Sequence, residues 1–310
     1  MTFVVVGVDG GGSKTRVIVA DAQGTQLADV TGPGSAVRPG QAEHSAEVIA
    51  AALADALASC DMTHVVPKVL CVGVAGAARE PERQEIWQAL AGRDLAEEVV
   101  IHPDFSIALD DAFGDGPGVL LISGTGSAAF GRSPGGQTAR CGGWGPVCGD
   151  EGSGAWIGRR ALSVVTASAD GREPETALVG AILTAAQVNE PQELVAWAAK
   201  ATPALFASLA PVVSSVANAG DLRANAIIAL AVEELVLHVR TLSRTLFGDE
   251  RATTPVALTG GMLTRGTTLR KRLEQRLRSA VPGAQLHTGE VNPARGAVRA
   301  ALRYVGETAN

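Results

Sequence analysis

Long uninterrupted apolar runs are missing from this chain. A membrane-spanning helix needs roughly 20 consecutive apolar residues. The two best candidates, Val48–Cys60 and Ala226–Val239, are broken by Asp55 and by Glu233 and Glu234. The opening segment has no basic region, and its apolar run is too short for a signal peptide. Cysteine is scarce: Cys60, Cys71, Cys141 and Cys148 show no CxxC spacing, so neither a disulfide framework nor a zinc site is expected. A reducing, cytoplasmic setting without membrane contact follows as an expectation. Charged residues are also sparse, 19% of the chain against about 25% in typical domains, and their balance is acidic. With a net charge of -6, the chain has no general attraction for nucleic acid. The five histidines (His44, His64, His102, His238 and His287) are scattered without an HExxH spacing, and no G-x-S-x-G elbow is present.

What remains is a core-forming chain. Hydrophobic residues are 46% of 310, a length that suits about two domains of roughly 150 residues. Phe3–Val8 reads as a strand, followed by the turn Asp9–Thr15, the strand Arg16–Ala20 and a third strand, Thr25–Val30. Ala42–Cys60 has helical spacing, Val65–Val74 reads as a buried strand, Glu80–Leu90 as a helix, Val99–His102 as a strand and Phe105–Phe113 as a helix. This alternation predicts an α/β fold with a mixed sheet and covering helices. After a Gly/Pro cluster at Gly114–Gly118 the opening plan recurs. Val119–Ile122 is a strand, Ser123–Ser127 a glycine-rich turn, and Ala128–Arg132 and Gln137–Cys141 are returning strands. Mainly helical chain follows from Gly152, ending in a long helix, Leu222–Phe247. A strand (Pro255–Thr259), a basic helix (Thr267–Ala280) and a tail helix (Asn292–Val305) complete the reading.

Three glycine-rich places are candidate phosphate sites, because glycine lets backbone N–H groups converge on an anion. Asp9–Thr15 is neither a Walker A, which would need glycine at Val8 and Ser13, nor a dinucleotide fingerprint, which would need glycine at Thr15 and a following helix. A tight hairpin with surplus glycines is the plain alternative. Ser123–Ser127 is the second place, and the hydroxyls of Ser13, Thr15, Thr125 and Ser127 could serve phosphate or metal-bound water. Gly260-Gly261 is the third and would suit an adenosine. The segment Cys141–Gly154 holds six glycines with Trp144, Asp150 and Glu151. A Trp face beside a carboxylate is a common sugar-recognition pairing; the alternatives are a core Trp and an Asp150 helix cap. Asp104 follows the strand Val99–His102, where active-site residues of open sheets collect. It could take a proton from an attacking hydroxyl, or simply cap the next helix.

In order, GVDGGGSKT, PDFSIAL, LISGTGS, CGGWGPVCGDEGSGAWIG, ALTGG and NPARGAVRAAL resemble the N-acetylglucosamine kinase group of the BadF/BadG/BcrA/BcrD ATPases. That group lies within the sugar kinase, actin and heat-shock-chaperone superfamily. The resemblance runs nearly end to end. It implies two ribonuclease H-like (actin-like ATPase) domains with a cleft between them that closes on binding, over 1–115 plus 297–310 and 116–296, the second with a helical insertion. It implies ATP-dependent phosphorylation of an amino sugar, N-acetylglucosamine first, at the 6-hydroxyl, giving the 6-phosphate and ADP. Matching motifs assign ATP to Asp9, Gly11, Gly12, Ser13, Lys14, Thr15, Gly124, Thr125, Gly126, Ala217, Gly260, Gly261 and Thr264. They assign Mg²⁺ to Asp9, catalysis to Asp104, and the sugar to Asp104, Ser127, Gly143, Trp144, Gly145 and Asp150. A homodimer is expected. Two departures bear on the sugar: Gly34-Ser35-Ala36-Val37 lacks a familiar Asn, and Ala128 stands where many members have Asn. Glucosamine or another hexosamine therefore stays open. Two other readings are an ATPase activating a partner enzyme through a cluster that needs thiolates, and a non-catalytic sugar sensor.

Overall fold

The structure, a computed structural model, describes residues 3–308. The chain divides into two compact units, Met1–Asp115 with Gly289–Asn310, and Gly116–Thr288. The first unit opens with β1 (Val4–Gly10), β2 (Lys14–Asp21) and β3 (Gln26–Pro33). It continues through α1 (Ala42–Ser59), β4 (Val69–Val74), α2 (Glu80–Ala91), β5 (Glu98–Pro103) and α3 (Asp104–Phe113). The second holds β6 (Gly118–Ser123), β7 (Ser127–Arg132), β8 (Thr138–Gly142), α4 (Gly145–Cys148) and α5 (Gly154–Ala169). Then come α6 (Leu178–Ala186), α7 (Glu193–Lys200), α8 (Pro203–Ala207), α9 (Ala210–Asn218) and α10 (Leu222–Phe247). This unit closes with β9 (Thr254–Thr259), a 3₁₀ turn at Gly261–Leu263, α11 (Thr268–Ala280) and β10 (Ala284–Leu286). The last helix, α12 (Pro293–Thr308), rejoins the first unit.

The two sheets share one plan. The first runs β3-β2-β1-β4-β5 and the second, read in the same sense, β8-β7-β6-β9-β10. In each an antiparallel meander is extended by parallel strands. The sequence shows the duplicated meander but not β10, whose three residues carry no period long enough to read. The strand foreseen from Val65 begins only at Val69. The chain also returns to the first unit at Gly289 rather than at 297, because Ala294 at the head of α12 is already buried against the first sheet.

Alternation along β1 positions the first unit's chemistry. Val4, Val6 and Val8 pack with α1 and α2, while Val5 packs with α3 and α12. Period two therefore puts Gly7 and Asp9 on the α3/α12 face. Small residues let the helices approach it closely. A Cβ on Gly7 would lie 2.3 Å from the Ala294 carbonyl oxygen, one on Gly73 2.1 Å from Ile107 Cδ1, and one on Gly296 1.8 Å from the Ile107 carbonyl oxygen. Asp111 locks α12 in place, accepting from Asn292 N at 2.7 Å and from Arg295 Nε at 2.6 Å.

The second unit is built around α10, which buries Ile227, Ile228, Ala231, Leu235, Val239 and Leu242. Asp221 caps it by accepting from Ala224 N at 2.8 Å. Among the described residues no helix is long and apolar enough to cross a membrane.

Candidate active site

In the first unit, parallel register aligns Asp9 with Gly73 and Gly73 with His102 across β1, β4 and β5. Asp9 therefore lies at the carboxyl end of the sheet, where Asp104 opens α3. Asp104 does not cap this helix: the cap position is Pro103, and Asp104 is the first helical residue. Burial pushes the Asp104 carboxyl above its ordinary range, against hydrogen bonds from the Phe105 and Asp104 N–H groups. Burial also raises Asp9 to about 6, helped by the charge of Asp104 and opposed by Lys14 and Arg16. Two desolvated carboxyls, one of them raised by the charge of the other, suit a divalent cation. His102 is held below its ordinary value by burial.

The β1–β2 hairpin is only partly available to an anion. Gly12, Ser13 and Lys14 are exposed at its tip. The Gly11 N–H donates to the Lys14 carbonyl at 2.9 Å, and its carbonyl accepts from Ser35 N and Ala36 N. Thr15 is fully buried and its hydroxyl donates to Ser35 Oγ at 2.7 Å. The Gly11 N–H is thus spent closing the hairpin on itself, while the Gly11 carbonyl and the Thr15 hydroxyl brace the hairpin against Ser35 and Ala36.

In the second unit, the β6–β7 turn and the glycine-rich loop form one piece. Ser123 Oγ donates to the Gly152 carbonyl at 2.9 Å and Ser127 Oγ to the Glu151 carbonyl at 2.6 Å. Gly154 N donates to the Gly124 carbonyl at 2.8 Å. Ser127 is buried and its proton is spent on the loop, so it supports this region rather than contacting a ligand with a free hydroxyl. Thr125 is exposed at the turn. Gly124 N closes the turn onto the Gly126 carbonyl.

Asp150 is buried, has φ +58°, and accepts from Gly145 N at 3.2 Å. A Cβ on Gly126 would sit 2.7 Å from Asp150 Oδ2, so glycine there makes room for the carboxylate. Desolvation raises the Asp150 carboxyl, and backbone N–H groups oppose the rise. Asp150 is not the cap of α5; Ser153 is, accepting from Trp156 N. Trp144 is not a core aromatic. It is 69% exposed, between left-handed Gly143 and Gly145, with the Arg140 guanidinium 4.8 Å from its ring centroid.

Gly260 adopts φ +99°, and a Cβ there would stand 2.3 Å from the Ser123 carbonyl oxygen. Beyond it a cavity of about 370 Å³ is lined by Ser214, Ser215, Asn218, Gly261, Met262 and Thr268 among others. Asn218 and Thr268 hydrogen-bond at its wall, at 2.9 Å and 3.0 Å. Ala217 faces the core instead, 3% exposed, and Thr264 donates to the Gly261 carbonyl. The sequence reading came within one residue of Asn218 but had no signal for it. Thr268 joins it from 50 residues away in the chain.

Two five-stranded sheets of one plan, each with a glycine-rich hairpin after its first strand, are the architecture of actin-like ATPase domains. The chain belongs to the BadF/BadG/BcrA/BcrD ATPase family, whose model matches residues 6–301. It is 32% identical over 244 residues to an N-acetylmuramic acid/N-acetylglucosamine kinase of Clostridium acetobutylicum, covering 78% of this chain and 80% of that protein. It is 28% identical over 313 residues to an N-acetyl-D-glucosamine kinase of Dictyostelium discoideum, covering 96% and 98%. The crystal structure of a putative N-acetylglucosamine kinase from Chromobacterium violaceum superposes with a TM-score of 0.78 at 31% identity, covering 97% and 99%.

Proposed function

We propose that this chain is an ATP-dependent amino-sugar kinase that phosphorylates N-acetylglucosamine at its 6-hydroxyl, giving the sugar 6-phosphate and ADP. The observation that carries the reading is Asp104, a desolvated carboxyl at the mouth of the first sheet, beside a second carboxyl, Asp9. A carboxylate whose proton affinity is raised toward neutrality is a better base for a sugar hydroxyl than an ordinary one. Kinases of the same family over most of this chain's length support the same assignment.

Asp104 takes the proton of the attacking hydroxyl, and catalysis otherwise consists of positioning and charge compensation. Asp9 would hold Mg²⁺, which when bound neutralises phosphate charge. The chain offers no group of three or more acidic, histidine or cysteine ligands among the described residues. That suits a metal held by one or two carboxylates together with phosphate oxygens. The exposed tip Gly12–Lys14 and Thr125 bind phosphate. The cavity at Asn218 and Thr268 takes the adenosine. Trp144 offers its open face to the sugar ring, and Asp150, fixed by the Gly145 N–H, accepts from sugar hydroxyls. A homodimer and a cytoplasmic location belong to the same reading.

The test is ADP release with Mg-ATP across N-acetylglucosamine, glucosamine, N-acetylmannosamine, N-acetylmuramic acid and glucose. A rise far above background with N-acetylglucosamine, and a 6-phosphate product by NMR, is the expected result. ADP release without sugar dependence would overturn the reading.

A further inference from the structure

The loop that carries Trp144 rests on a buried histidine that the proposed reaction does not use. His238, in the middle of α10, is 6% exposed. Its ring lies directly beneath Gly142, the last residue of β8. A Cβ built on Gly142 would stand 2.3 Å from His238 Nε2 and 2.7 Å from Cδ2. Gly142, Gly143 and Gly145 all adopt positive φ (+74°, +71° and +85°). The turn that swings Trp144 out to solvent therefore starts at the atom in contact with the imidazole.

The ring is an unusual filler for this position. Its helical neighbours facing the core are Leu235, Val239 and Leu242. Nδ1 is buried and makes no hydrogen bond of ordinary geometry; the Glu234 carbonyl, one turn back on α10, faces it. A buried nitrogen left so poorly satisfied costs stability that an aliphatic side chain would not. The charged groups facing the ring are all acidic: Glu234 on α10, and Asp150 and Glu151 on the loop that closes over Gly142. Burial nonetheless outweighs them and holds the imidazole below its ordinary 6.5.

We infer that His238 is a positioning residue for sugar binding: its imidazole supports the Gly142–Gly145 turn from beneath and so fixes where Trp144 stands. The inference rests on the assignment of Trp144 to the sugar. It makes the support dependent on pH. A histidine whose folded form favours the neutral ring keeps its stabilising role above the ordinary histidine pKa and loses it as pH falls below. Protonation puts a charge in a desolvated place, drawn toward Asp150 and Glu151 on the loop itself. Sugar affinity falls with acidification while ATP affinity does not follow.

The test compares wild type, His238→Ala and His238→Gln in the full chain, with Mg-ATP and N-acetylglucosamine. Removing the ring is expected to raise the sugar KM about tenfold or more, with ATP KM changed by less than about twofold, as a displaced positioning group would. Glutamine, which offers an amide without a titrating proton, should recover part of the sugar KM and abolish its acid-side rise. A wild-type sugar KM in the alanine variant would overturn the inference. So would equal losses toward ATP and sugar, or a glutamine profile that keeps the acid limb. Hydrogen exchange needs no turnover and separates this inference from the functional reading. Corrected for intrinsic rates, peptides spanning 142–150 should exchange faster in the alanine variant, and in wild type as pH falls, relative to peptides of α10. Exchange that responds in this way without any hexosamine turnover would sink the kinase assignment and leave the support role of His238 standing. Unchanged exchange would sink the support role.

Discussion

Asp9, on the α3/α12 face of the first sheet, is pushed up to about 6 by burial and then by the charge of Asp104, the first residue of α3. Their placement follows from packing: Gly73 sits between β1 and β5, and Ile107 of α3 occupies the space a side chain there would fill. A substitution at either carboxyl therefore reports on both the charge and the helix that carries it.

Asp104→Asn is expected to lower kcat by about 10²- to 10⁴-fold, the usual worth of a general base. KM for ATP should change little and the melting temperature should not fall, since a desolvated charge is removed. Steady-state kinetics beside a thermal melt check this. Wild-type kcat should rise along an acid limb lying above the ordinary carboxylate range, and this limb should be altered in the variant.

Asp9→Asn should stabilise the ligand-free protein at neutral pH. A carboxyl raised in the folded state binds its proton more tightly there than in the unfolded chain. Stability from this group therefore falls as pH rises from 3.8 to about 6 and stays low above. The advantage of the amide should be small near pH 4 and reach at most about 3 kcal/mol above pH 6 to 7. Denaturant melts of both proteins across this range measure it; a difference that shrinks as pH rises would contradict the assignment. Activity should be lost in the same variant.

Gly296→Ala should be strongly destabilising, although alanine is the better helix former by about 1 kcal/mol. The new methyl would meet the Ile107 carbonyl oxygen at 1.8 Å, and backbone cannot yield as a side chain can. A loss of about 1–3 kcal/mol, typical of overpacking, is expected in a urea melt. Gly306→Ala, on the same helix with open space around it, is the control and should be neutral or better.

Trp144→Ala should raise the sugar KM by about tenfold or more while leaving the fold intact. The ring is 69% exposed, so it contributes little core burial. ATP KM should hold. Kinetics with N-acetylglucosamine and a thermal melt separate the two effects.

Much of this was readable one segment at a time. The spacing of Ile227, Leu230 and Glu234 predicts a helix over Leu222–Phe247, and α10 has those ends. The glycine-rich turns and their returning strands show the duplicated plan that the sheets share. Hydroxyl and amide roles were less legible. Thr15 looked like a phosphate contact until its partner Ser35 was seen. A helix cap was the alternative for Asp150, and Ser153 holds that place instead. Ala217 is buried in the core while Asn218, beside it, meets Thr268 at the cavity wall.

Most elements, the α/β class and the family could be read from consecutive residues, because hydrophobic period and turn chemistry are local; β10, three residues long, could not. The tertiary structure decided which of the polar groups are spent and which face solvent. Whether a hydroxyl is satisfied depends on partners far along the chain, as with Ser127 and Glu151 or Thr15 and Ser35. Only packing brings such partners together, and burial is the largest of the causes that raise the proton affinity of Asp9 and Asp104.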